Sequence, residues 1–149
     1  MTRHLMIAMT VLGTLVSFAG ASRAGEIVVI VNKANSNGAM NKDDVRNHYL
    51  KKQSSWANGE KLRPVDTESS GQRDAFVHKL LGMASNEELE RYWLELKYQK
   101  AEAPPKRVDG DASVIKFVAA FKGGIGFVDA AALDNDARAK VQVVLTLKY

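Results

Sequence analysis

The 149-residue chain contains no cysteine, which excludes a disulfide scaffold, a thiolate metal site, a cysteine nucleophile and a lipoprotein anchor. Histidine is nearly as scarce. Only His48 and His78 lie beyond residue 24, and neither has a second histidine or a carboxylate four residues further on, so no metal ligation is expected. No Gly-x-Ser-x-Gly elbow is present, and Ser70 and His78 on one helix would stand about 12 Å apart at a rise of 1.5 Å per residue. With no nucleophile near a base, the reading is a binding protein and not an enzyme, with no cofactor. Gly123-Gly124-Ile-Gly126 precedes a strand instead of joining a strand to a helix, so it is no dinucleotide fingerprint. Asp134, Asn135 and Asp136 are rich in oxygen, yet a calcium loop starting there lacks the glycine at its sixth position and reads as a solvated turn.

Charge of one sign is also in short supply. The pI near 9.3 suggests nucleic acid, but 21 basic residues face 17 acidic ones, and part of the excess lies in the first 24 residues. These have Arg3 and His4, an uncharged stretch Leu5 to Ala21, then Ser22-Arg23-Ala24, the pattern of a cleaved signal peptide. An uncleaved anchor is the rival, opposed by the glycines, serines and threonines within a stretch at the lower limit of spanning length. Removing residues 1–24 lowers the formal net charge from +4 to +2, which is no nucleic-acid footprint. What remains, residues 25–149, suits one soluble periplasmic domain, and its 46% apolar content across the whole chain excludes a disordered tail.

Apolar periodicity alternates between strands and helices. Glu26 to Asn32 is a continuous β-branched run, the pattern of a strand covered on both faces. Asn41 caps a helix to about Lys51, with Asp43 and Asp44 in its first turn. A short strand is expected over Leu62 to Asp66, a helix from Ser69 to Gly82, and a helix opened by the Ser85 to Glu88 capping box. Pro104-Pro105 stops that helix and begins an extended connector. Val114, Phe117, Val118 and Phe121 mark a further helix, before strands at Ile125 to Val128 and Val141 to Leu147. Tyr92, Trp93, Phe117 and Phe121 are expected in the core, whereas Trp56 either covers one end of the sheet or lines a site. The order predicts an α/β fold with a small, largely parallel sheet flanked by helices, with ligand contacts on loops beyond the strand ends.

Two loops fit that placement, Asn32 to Met40 and Asp66 to Gln72. In the second, small hydroxyl residues and a glycine at a helix start favour an anion. The competing reading is a plain cap, Ser69 bonded reciprocally with Gln72. Arg73 either adds charge beside an anion or pairs at the surface with Glu68 or Asp74. The expected ligand contacts are Ser70, Gly71, Gln72 and Arg73, with Asn32 and Ser36 at a neighbouring strand end.

The Val28 to Asn32 strand, Tyr49-Leu50, the Trp56 to Asn58 turn, Pro64-Val65, Ser70-Gly71 and Gly124-Ile-Gly-Phe-Val128 resemble, in order and spacing, the PstS-like phosphate-binding proteins of ABC transporters. The last segment is similar to that family's Gly-Ala-Ile-Gly-Tyr-Val. The resemblance implies one lobe of a type II periplasmic binding protein, with phosphate or another small oxyanion as ligand. Full-length members grip phosphate between two lobes, and the resemblance here covers one. The family's Arg-x-Asp-Gly-Ser-Gly-Thr loop puts arginine at Asp66, acid at Glu68 and threonine at Gln72, so only Ser70 and Gly71 carry over. The expectation is weak or partner-assisted anion binding, with a homodimer or a membrane transport or sensor protein as partner. The alternative is an interaction or sensing accessory protein with no small ligand, working through a sheet edge or the Lys51 to Trp56 loop.

Overall fold

The computed structural model describes residues 25–68 and 70–149; the expected signal peptide and Ser69 lie outside the described residues. The chain forms β1 (Glu26–Asn32), α1 (Lys42–Tyr49), β2 (Arg63–Thr67) and α2 (Gly71–Ala75), which passes directly into a π-helical stretch Phe76–Leu80. It continues through α3 (Asn86–Lys100), β3 (Lys106–Val108), α4 (Gly110–Ala120), β4 (Gly124–Asp129), α5 (Asn135–Lys140) and β5 (Val141–Lys148).

Local chemistry sets the helix starts. Asn41 accepts from the Asp44 amide at 2.8 Å while the Asp44 carboxylate accepts from the Asn41 amide at 3.1 Å, a complete capping box. At α3 the box is offset by a residue: Ser85 accepts from the Glu88 amide, and the Glu88 carboxylate takes the Ala84 amide. Asp134 is a helix cap and not a solvated turn, because its carboxylate accepts the Ala137 amide and opens α5. The connector after Pro105 contains β3, an edge strand.

The sheet order is β3-β2-β4-β1-β5. The pairings β3–β2 and β2–β4 are parallel, whereas β1 is antiparallel to both β4 and β5, so four strands point one way and β1 alone opposes them. Strand alternation sends Ile27, Val29 and Val31 to one face and Val28 and Ile30 to the other, and both faces are covered, which explains the unbroken apolar run. The first face packs under Val45, Tyr49, Phe76, Leu80 and Trp93; the second under Val114, Val118 and Ala137. Gly126 permits the close approach of α4, since a Cβ there would lie 2.5 Å from Val114 Cγ1. Phe117 and Phe121 depart from the expectation of core. Phe117 is half-buried and Phe121 is 37% exposed, because α4 ends where the sheet narrows to β2 and the short β3.

Trp56 packs at one end of the sheet, and its edge also lines a surface cleft with Asn37, His48 and Gln53. Its ring is buried, its indole N–H donates to the Gly123 carbonyl at 3.0 Å, and it lies 4.8 Å from the His48 ring. His48 is buried too, its Nδ1 facing the Asp44 carbonyl, and burial holds its pKa below the usual 6.5 despite the opposing pull of Asp44. The folded state therefore binds fewer protons than the unfolded chain as pH falls below about 6.5, and stability decreases in that direction. Thermal melts from pH 7.5 downward should show this slope, and His48→Gln should flatten it.

Candidate functional site

The C-terminal ends of β2 and β4 carry the loop that leads into α2. Thr67 ends β2, the Glu68 amide donates to the Val108 carbonyl, and Ser70 caps α2 by accepting the Arg73 amide at 3.1 Å. Thus the cap is Ser70, and the expected reciprocal partner Gln72 turns aside: its side-chain amide donates to Asp111 Oδ1 at 3.0 Å. Asp111, in the first turn of α4, also accepts the Asp129 amide at 3.3 Å and so ties α2, α4 and β4 together. Beyond Gly71 lies open space, and among the described residues no acceptor takes the Gly71 or Gln72 backbone N–H.

Arg73 does not pair at the surface with Glu68 or Asp74. It is 2% exposed, and its Nε and Nη2 donate to the Asp66 carboxylate at 2.9 to 3.1 Å. Its Nη1 donates to the Asn86 side-chain oxygen, and Asn86 in turn donates to Asp74 at 2.6 Å. The Asp66 carboxylate also accepts the Thr67 amide at 2.8 Å and stands 3.7 Å from Arg107, which reaches Glu90 at 3.3 Å. Asp66 thereby fills, from within the chain, the guanidinium fork that an external oxyanion would use. Its charge, after burial, helps push the Tyr49 hydroxyl well above its usual pKa, and that hydroxyl donates to the Val65 carbonyl at 2.8 Å.

Asn32 and Ser36 do not join this group. Because β1 runs against β2 and β4, its C-terminal end lies at the opposite end of the sheet from Ser70. There Asn32 is buried and donates to the Val118 and Ala119 carbonyls at 2.9 and 3.1 Å, closing the C-terminus of α4, while Ser36 is exposed in the next loop. The structure therefore assembles Ser70, Gly71, Gln72 and Arg73 at one end. It adds Asp66, Asp111 and Asn86, whose roles come from contacts across the fold. Among the described residues, no cluster of three or more histidine and acidic side chains could hold a metal.

No family model matches the chain, and no curated protein matches it. Solved structures do, and they are PstS-type phosphate ABC transporter substrate-binding proteins. A phosphate ABC transporter substrate-binding protein from Clostridium perfringens with bound phosphate shares 23% identity at a TM-score of 0.62, over 81% of this chain and 45% of that one. An ABC-type phosphate transport receptor from Vibrio cholerae shares 17% identity at 0.60, over 81% and 46%. PstS from Borrelia burgdorferi shares 14% at 0.62, over 81% and 47%. The chain spans less than half the length of these structures, and the likeness shows the fold alone: a mixed α/β fold like that of one lobe of these binding proteins.

Proposed function

We propose that this protein is an exported, single-lobe module with the solute-binding fold, which alone holds a small oxyanion only weakly and needs a partner to complete a site. Supporting export is the signal-peptide pattern of residues 1–24. The observation that carries the weak-binding reading is the commitment of Arg73 to Asp66, which leaves, among the described residues of this turn, a hydroxyl on Ser70 and two backbone amides as the donors facing solvent. One helix tip contributes up to about 2 kcal/mol, and 1 mM affinity requires about 4 kcal/mol. Phosphate binding by the isolated lobe therefore falls in the millimolar range or weaker. A second copy, or a membrane transport or sensor protein, closing over Ser70 would exclude water and strengthen the same contacts.

The carboxylates of Glu68, Asp111 and Asp129 at this end of the sheet favour a second reading, an interaction or sensing accessory with no small ligand. A melt series with phosphate, sulfate, amino acids and sugars separates the two. Ligand at 100 times its dissociation constant raises stability by about 2.7 kcal/mol. A shift with an oxyanion only at tens of millimolar fits the weak site; no shift with any compound leaves the accessory reading; a shift at micromolar phosphate contradicts both.

A further inference from the structure

At the end of the sheet remote from Ser70, between the start of β2 and β3 and the last turn of α4, lies a cleft of about 280 Å³. Three cations line it, Lys51, Arg63 and Lys106, and no carboxylate does. Lys106 pairs in register with Val65, two residues after Arg63, so strand alternation sends both cations to the α4 side of the sheet. Neither has a carboxylate within 4.0 Å among the described residues; Lys51 has one distant partner, Glu102 at 3.8 Å. The remaining walls are apolar, and Phe117, Phe121, Pro104 and Pro105 supply most of them. The Arg63 guanidinium lies 4.7 Å from the Phe121 ring centre, and the Phe117 and Phe121 rings are 4.8 Å apart.

One feature sets this cleft apart from ordinary surface charge. Cations near a helix C-terminus commonly serve its unpaired carbonyls, but here Asn32 already donates to those of Val118 and Ala119, and the Phe121 amide to that of Phe117. The left-handed backbone of Lys51, at φ 53°, belongs to the end of α1, where the Lys51 amide donates to the His48 carbonyl and the Lys52 amide to that of Asn47.

We propose that the cleft binds a small carboxylate borne on a flat apolar ring. The carboxylate meets the Arg63 fork and the Lys106 ammonium, and the ring lies against Phe121 and the two prolines. Inorganic phosphate fits poorly, because the aromatic and proline walls leave its remaining oxygens without donors.

Benzoate is the probe, with benzamide as its uncharged twin of the same shape. Calorimetric titration of the folded protein at low ionic strength should give saturable benzoate binding with a dissociation constant at or below about 1 mM. Benzamide should bind at least about tenfold more weakly, and added salt should weaken benzoate by screening. Arg63→Gln and Phe121→Ala, both at exposed positions, should each weaken benzoate about tenfold, whereas Lys79→Gln on the far side should leave it unchanged. Absence of saturable binding below about 10 mM, equal binding of benzamide, or an unaltered affinity in Arg63→Gln would each overturn the proposal. Benzoate affinity is independent of phosphate affinity, so either site can fail without the other.

Discussion

Asp66→Ala is expected to lower stability by about 3–5 kcal/mol, read as a fall in the urea midpoint at unchanged slope. The magnitude follows from what is left behind. Arg73 is almost wholly enclosed, and three of its hydrogen bonds end on the Asp66 carboxylate. Removing that carboxylate leaves a guanidinium in a poorly solvated place with Asn86 as its remaining partner. The double variant Asp66→Ala with Arg73→Met should recover most of the loss, because no lone charge then remains and methionine fills much of the space. If the double variant is as unstable as the single one, loss of packing and not the unpaired charge is responsible.

Phe76→Ala is expected to cost a further about 3–5 kcal/mol when tested alone, the usual range for emptying a buried aromatic site. Phe76 stacks on Phe127 at 3.8 Å between ring centres with planes 7° apart, and Tyr49 meets it edge-on at 4.8 Å. It is also the first residue of the π-helical stretch that follows α2, so the cavity opens in the core where the helical segment begun at Ser70 is anchored. Faster hydrogen exchange at the bonded amides of residues 73–75 should accompany the lost stability. Phe76→Leu, which retains most of the volume, should recover a large part of both.

The difference between Asp66 and the helix caps shows what was legible in the sequence. Asn41 and Ser85 act on amides three residues away, so their roles are written in local spacing. The apolar run Ile27 to Val31 likewise declares a strand covered on both faces. Its direction is not written there, because side-chain alternation is the same in parallel and antiparallel strands. That one reversal carries Asn32 and Ser36 away from Ser70 and makes Asn32 a cap for α4. The partner of Arg73 was equally hidden: Glu68 and Asp74 are nearer in sequence, but the turn of α2 under the sheet brings Asp66 and Asn86 together instead. The spacing of Gln72 from Ser69 likewise points to a local cap, whereas Asp111, brought to it from α4, takes its amide.

The fold and the weak-site reading lead to one decisive quantity, the affinity of the lone lobe for phosphate. Calorimetric titration of inorganic phosphate into residues 25–149, with monomeric state verified by sedimentation in the same buffer, measures it directly. The expected result is heat that fails to saturate below the millimolar range, since Asp66 occupies Arg73 and the open donors belong to a single helix tip. A micromolar dissociation constant in a demonstrated monomer would contradict the reading, and would mean that the Ser70 turn binds phosphate without a second lobe.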